Sequence, residues 1–219
     1  ASVRETIADL ASAIPGYGPS DVFYPEWFLG TWEATSELSA VETPQGDSLA
    51  GEAAVNARKS VGMIERYLQR YIEYRGRIVA DRGFNVGSFS RSVESVDWDP
   101  ADPSVVSTVA GRGGASMRTE MRVTKRAVGA PEGRSDLFNV SEFYQEVVDG
   151  NNPSALALGA GAGPPKVTPV RCITKYRLVA GPQIQALQRL EVYPNLISAD
   201  ARDFVDAIMA GGADRDKPV

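Results

Sequence analysis

Short segments with a period of two dominate the chain from residue 28 to residue 193, and they constrain the fold more than any other feature. Apolar and β-branched residues alternate with polar ones, and Gly, Pro, Asp and Asn separate the segments. Eight strands are predicted, at residues 28–38, 69–75, 77–81, 105–110, 117–128, 137–148, 170–179 and 184–193. Successive antiparallel strands favour a mainly β fold, an eight-stranded antiparallel up-and-down barrel, because closure removes exposed sheet edges. An open sandwich with Greek-key connections is the alternative.

Helical spacing of apolar residues is found at both ends of the chain. An N-terminal helix is predicted from Val3, Ile7, Leu10 and Ile14, and a C-terminal helix from Phe204 and Ile208. A further helix is predicted at residues 53–68, with Val61, Ile64 and Leu68 on one side. The domain prediction is therefore an N-terminal helix and linker at 1–20, a barrel at 21–197, and a C-terminal helix and tail at 198–219.

The chain contains no histidine and one cysteine, Cys172. Serine and cysteine triads that need an imidazole base are excluded, as are histidine zinc sites. The formal net charge of -5 also disfavours a nucleic-acid partner, since phosphate binding needs an excess of Lys and Arg. No catalytic residue, metal site or cofactor is predicted.

A Gly-x-Trp motif, Gly30-Thr31-Trp32, begins the first predicted strand and resembles the signature of lipocalin-like barrels. The resemblance implies that Gly30 permits a tight turn and that the Trp32 indole closes one end of the barrel beneath an arginine. The candidates for this arginine are Arg171, Arg177 and Arg189. The neighbouring aromatic residues are expected to seal the same end: Tyr17, Phe23, Tyr24, Trp27 and Phe28.

Two longer stretches, "IPGYGPSDVFYPEWFLGTWE" and "VADRGFNV", are similar to an uncharacterised lipocalin-like family of plant, algal and cyanobacterial proteins. This resemblance implies a plastid thylakoid location, on the lumenal side, with the stromal side as the alternative. It implies no known catalytic residue and no known cofactor.

Asp81, Arg82 and Asn85 form the most suggestive polar set. The structural interpretation is a hairpin corner in which Asp81 or Asn85 binds nearby backbone and Arg82 pairs with a carboxylate. The alternative is a binding or docking role. Charged residues late in the strands at 117–128 and 137–148 indicate strands that project past the core. Cys172 is interpreted as a small buried hydrophobe.

The leading functional hypothesis is a non-enzymatic accessory, structural or assembly subunit of a thylakoid photosynthetic complex. The predicted partners are photosystem subunits, with pigment or lipid contact as a further expectation. The candidate docking residues are the apolar ones of the terminal helices, Val3, Ile7, Leu10, Ile14, Phe204 and Ile208. The alternative is a carrier that holds a pigment, tetrapyrrole or lipid inside the barrel. An isomerase or lyase that uses Tyr, Asp or Glu is ranked last.

Overall fold

The computed structural model describes residues 21–90, 92–112, 115–149, 165–193, 214 and 216–219. A short 3-10 helix, Glu26–Phe28, precedes the first strand. Two α-helices follow, α1 (Asp47–Arg58) and α2 (Arg82–Phe89). The nine strands are β1 (Gly30–Glu37), β2 (Ile64–Tyr74), β3 (Arg77–Ala80), β4 (Val93–Asp99), β5 (Asp102–Arg112), β6 (Ala115–Gly129), β7 (Leu137–Val148), β8 (Lys166–Val179) and β9 (Gln183–Val192). The predicted mainly β fold is confirmed.

The strands form two antiparallel sheets. Sheet 1 has the order β1-β2-β3, and sheet 2 has the order β4-β5-β6-β7-β8-β9. Every strand pairs only with its neighbours along the chain, so the described strands contain no Greek-key crossover. They also do not form the predicted closed eight-stranded barrel, because β1 ends one sheet, β9 ends the other, and no described pairing joins them.

All eight predicted strands correspond to observed strands, but β4 was missed. The segment around Asp97, Trp98 and Asp99, which lies outside the predicted strands, is a strand paired with β5. The helix predicted at 53–68 is only partly correct, since α1 ends at Arg58 and Ile64 begins β2.

The core lies where the inner sides of the two sheets meet the segment that precedes β1. Its buried cluster is Val22, Phe28, Tyr71, Phe138 and Val140. Sheet 1 contributes Tyr71, and sheet 2 contributes Phe138 and Val140 from β7. We call the face of sheet 2 that carries Phe138 and Val140 its inward face, and the opposite face its outward face. Of the aromatic residues predicted to seal one end of the fold, Phe28 lies in this cluster and Tyr24, Trp27 and Trp32 pack against it. Phe23 is instead 37% exposed, and Tyr17 lies outside the described residues.

Trp32 holds this cluster in place in a different way from the predicted one. Its side chain is half-buried against the core, and its Nε1 donates a 2.7 Å hydrogen bond to the Phe28 carbonyl oxygen. Gly30 has a φ of 120°, which residues with a Cβ rarely adopt, so the glycine permits the turn between the two.

The predicted arginine over Trp32 is not found among the described residues. The described arginine–aromatic stacks are Arg70 on Phe84, Arg75 on Tyr74 and Arg77 on Phe23. The three candidates point elsewhere: Arg171, Arg177 and Arg189 lie at outward positions of β8 and β9.

The segment after β3 is a helix and not the predicted hairpin corner. Asp81 caps α2 by accepting a 3.0 Å hydrogen bond from the Phe84 backbone N–H. The helix links the sheets, because it follows β3 of sheet 1, packs against β2 and β4, and leads into sheet 2.

We predict that Gly83→Ala raises the free energy of unfolding by about 0.5–1 kcal/mol, because Gly83 lies in the first turn of α2 and alanine favours a helix. An added Cβ would lie 3.5 Å from Trp98, an ordinary contact. Gly76→Ala is the matched control and should lower stability by about 1 kcal/mol, because Gly76 has a φ of 72°. Chemical denaturation measures both variants. Destabilisation by Gly83→Ala would contradict the helix.

The predicted terminal helices, with Val3, Ile7, Leu10, Ile14, Phe204 and Ile208, lie outside the described residues. Most of the predicted 1–20 and 198–219 units lies there too. Of the described helices, neither has the length and apolar character required to span a membrane.

Candidate functional site: a buried network of four charges

Four charged side chains are buried together between the sheets, and we call them the charge network: Asp21, Arg82, Arg126 and Glu142. Their side chains are 6%, 10%, 7% and 15% exposed, respectively. Lys, Arg, Asp and Glu are rarely buried to this extent unless they are paired. The network is therefore the most distinctive chemical feature of the described chain.

Strand register places Glu142 and Arg126 on the same side of sheet 2. Glu142 follows Val140 by two residues and shares the inward face of β7 with it. A register shift in β6 between Val123 and Lys125 brings Arg126 opposite Glu142. Such a bulge inserts one residue and reverses which later side chains point inward, so Arg126 faces the core and Lys125 faces outward.

Helix α2 delivers the second arginine. Arg82 is the first residue of the helix, and its guanidinium spans both carboxylates of the network. Its nitrogens lie 2.7 Å and 3.1 Å from the Glu142 oxygens and 3.0 Å from Asp21 Oδ1. Arg126 Nε donates to Glu142 Oε1 at 3.1 Å, and both terminal nitrogens of Arg126 lie 3.3 Å from Ser104 Oγ. The network thus ties the segment before β1, helix α2 and strands β5, β6 and β7 together.

The electrostatics of the network favour the ionised forms of Glu142 and Arg82. Burial alone would raise the pKa of Glu142, but Arg82 and Arg126 outweigh it and lower that pKa below its ordinary value. Burial alone would lower the pKa of Arg82, but Glu142, Tyr24 and Asp21 raise it. A carboxylate held ionised by two guanidiniums is a poor general acid or base near neutral pH. The network is built to join elements and not to transfer protons.

Asp81 and Asn85 stabilise the same helix from its other side. Asp81 Oδ2 lies 2.6 Å from Arg70 of β2. The Asn85 side-chain amide accepts from the Arg70 backbone N–H at 2.6 Å and donates to the Arg70 carbonyl at 3.1 Å. The Asn85 side chain thereby satisfies the backbone N–H and carbonyl of Arg70 on the part of the β2 edge that does not pair with β3. These are the backbone and carboxylate contacts of the structural interpretation, made by a helix.

Sequence reasoning identified Arg82 but missed its partners. The glutamate of β7 was attributed to a strand end beyond the core, whereas Glu142 is buried there. The available signal was its place in the alternation of Phe138, Val140, Glu142 and Tyr144, which puts a carboxylate on an apolar face. Asp21 and Arg126 carried no comparable signal.

The other candidate groups show no reactive arrangement. Cys172 is half-buried, less deeply than its interpretation as a buried hydrophobe implies, and its sulfur lies near Thr174 and Gln188. Burial raises the pKa of its thiol. In the described part of the chain, no group of three or more Cys, Asp or Glu residues is arranged to hold a metal ion.

The family described as "Domain of unknown function (DUF6816)" matches residues 16–212, most of the chain, which therefore belongs to this family. No match was found among curated proteins or among solved structures.

Proposed function

We propose that this DUF6816 member is a non-enzymatic accessory or assembly subunit of a thylakoid photosynthetic complex, bound to photosystem subunits. The thylakoid and photosystem parts of the proposal follow from the resemblance of "IPGYGPSDVFYPEWFLGTWE" and "VADRGFNV" to lipocalin-like proteins of photosynthetic organisms. The lumenal side is proposed, with the stromal side as the alternative. The interaction role rests on the surface described next.

A contiguous apolar surface at the far end of sheet 1 carries the proposal, and we call it the hairpin patch: Leu38, Val61, Met63 and Ile64. These side chains are 38%, 43%, 56% and 63% exposed. They are neighbours, because the Gly62 N–H donates to the Leu38 carbonyl oxygen at 2.9 Å and Ile64 of β2 pairs with Glu37 of β1. Grouped apolar residues on a surface mark interaction sites, whereas isolated ones do not.

The charge network supports the non-enzymatic part of the proposal. The side chain of Glu142 is 15% exposed and accepts hydrogen bonds from Arg82 and Arg126. Its lowered pKa leaves it unable to take up a proton at neutral pH. The interior therefore offers a rigid scaffold, and the recognition role falls to the surface.

Copurification tests the proposal. We expect the tagged protein to isolate photosystem subunits from detergent-solubilised thylakoids, and Met63→Ser with Ile64→Ser to abolish this without changing the unfolding midpoint, since both side chains are already exposed. The matched control is Leu29→Ser with Leu190→Ser, which alters two side chains of similar exposure elsewhere and should retain the complex. A wild-type protein that never associates with a photosystem would contradict the proposal.

A second candidate, a carrier of a small hydrophobic ligand, is favoured by one observation. Met117 and Leu190 point inward from sheet 2 yet are 42% and 58% exposed, so part of the inward face presents uncovered apolar surface. A pigment, tetrapyrrole or lipid could cover it. Solvent extraction of the native protein should then release such a molecule, and an extract without one would remove this candidate.

A further inference from the structure

The outward face of sheet 2 is basic although the whole chain has a formal net charge of -5. Strands β6, β8 and β9 place seven exposed cations on it, which we call the basic face: Arg118, Arg122, Lys125, Arg171, Lys175, Arg177 and Arg189. The cross-strand register puts them on one side. Lys125 and Arg171 both oppose Phe143 of β7, and Lys175 opposes Leu187 of β9.

The direction in which the acidic residues point explains this concentration of charge. The two carboxylates of β7, Glu142 and Glu146, share the parity of Val140 and lie on the inward face. On β6, β8 and β9 the outward carboxylates are Glu120 and Glu191, paired with Arg122 and Arg189 at 2.8 Å and 3.1 Å. On the same face β4 adds one exposed carboxylate, Asp97, so the seven cations of the basic face compare with three outward carboxylates.

Lys125 and Lys175 are among the cations of the basic face that have no ion pair with any described residue. Lys125 and Lys175 are both exposed, on strands separated only by β7. Leu187, directly opposite Lys175, is 70% exposed and projects from the same face. An exposed aliphatic side chain among long cationic ones is suited to contact with a lipid bilayer, which has anionic headgroups outside and an apolar layer beneath. The apolar stems of Lys and Arg can lie against the apolar layer while their charges remain at the headgroups.

We propose that the basic face binds the surface of an anionic lipid bilayer. Charge complementarity supports this occupant, since each Lys or Arg held near an anionic leaflet contributes to binding without a shaped pocket. The cations are spread over the open side of a sheet, roughly 4.8 Å from strand to strand, and do not converge on one point as they would around a single phosphate. The proposal goes beyond the proposed function, because it concerns lipid and the opposite sheet from the hairpin patch.

Cosedimentation with vesicles tests the proposal. We expect the full chain to sediment with vesicles of phosphatidylcholine and phosphatidylglycerol, to remain in solution with phosphatidylcholine alone, and to be released by salt. Lys125→Gln with Lys175→Gln should lower the partition coefficient about 25-fold, from about fivefold for each cation removed. The charge-conserving pair Lys125→Arg with Lys175→Arg should bind like the wild type.

The matched control is Lys59→Gln with Arg66→Gln, which removes two exposed cations outside sheet 2 and should leave binding unchanged. Equal loss in this control would show that net charge and not the basic face determines binding, and would overturn the proposal. Wild-type binding to neutral vesicles that matches binding to anionic ones would overturn it too. So would retention on immobilised polyglutamate with no vesicle binding, which would indicate an acidic protein partner.

Discussion

Glu142→Gln is expected to lower the free energy of unfolding by about 3–5 kcal/mol, because it leaves Arg82 and Arg126 buried with Asp21 as their remaining counter-charge in the network. The substitution conserves shape and removes only the negative charge. For a domain of this size, that loss lowers the unfolding midpoint by about 10 °C. Urea denaturation and thermal melting measure it.

The control for this prediction is Glu120→Gln, which breaks an outward pair on the neighbouring strand. The partner of Glu120, Arg122, has a side chain that is 57% exposed, so the loss should stay below about 1 kcal/mol. Equal effects of the two substitutions would show that the charge network does not hold the sheets together.

The pH dependence of stability provides an independent readout of the same residue. Arg82 and Arg126 lower the pKa of Glu142 from 4.5, so the unfolded chain takes up a proton there more readily than the folded one. The contribution of Glu142 is then complete above about pH 4.5 and is lost as the pH falls further. The difference in stability between wild type and Glu142→Gln should therefore shrink below that pH.

The strands were predictable because period-two alternation is a local property of the chain. Whether those strands close into a barrel was not predictable, because closure depends on contact between the first and last strands. No local sequence pattern indicates such a contact. The missed strand, β4, has register shifts after Val93 and after Trp98, which disrupt the alternation that identifies a strand. Its Asp residues and the prolines that follow it, Pro100 and Pro103, are also typical of a loop.

The helix predicted across residues 53–68 was wrong beyond Arg58 because of an ambiguity in spacing. Ile64 and Leu68 are four residues apart, which places them on one side of a helix and equally on one face of a strand. They lie on β2, where both are exposed, and Ile64 belongs to the hairpin patch. An apolar stripe was correctly detected, but its secondary structure and its exposure were not.

In the candidate site, too, local contacts were predictable from the sequence and contacts between distant residues were not. The cap that Asp81 provides to α2 is a local contact, so turn and capping chemistry suggested it. The partners of Arg82 are 60 and 61 residues away along the chain, and Arg126 reaches Glu142 only because of a bulge in β6. A bulge is set by tertiary packing, so strand periodicity could not show which β6 side chain would face Glu142.

Phe28→Ala is expected to cost about 3–5 kcal/mol, through loss of buried surface and the cavity that remains. Phe28 is 1% exposed and is among the most deeply buried side chains of the described residues. Its ring packs against five others at centroid distances of 4.2–5.9 Å, those of Tyr24, Trp27, Tyr71, Phe138 and Tyr176. These rings come from both sheets and from the segment before β1, so Phe28→Ala removes packing contacts with all three parts of the core.

Two control substitutions, one at Phe28 itself and one at the next residue, make the Phe28 prediction specific. Phe28→Leu keeps most of the volume and should cost less than about half as much, whereas Leu29→Ala removes a side chain that is 51% exposed and should change stability by less than about 0.5 kcal/mol. Denaturant midpoints of the three variants give the comparison. The Trp27 indole stacks on the Phe28 ring at a centroid distance of 4.2 Å, so Phe28→Ala should also change tryptophan fluorescence before unfolding. A Phe28→Ala protein as stable as Leu29→Ala would mean that the aromatic cluster is not what joins the two sheets.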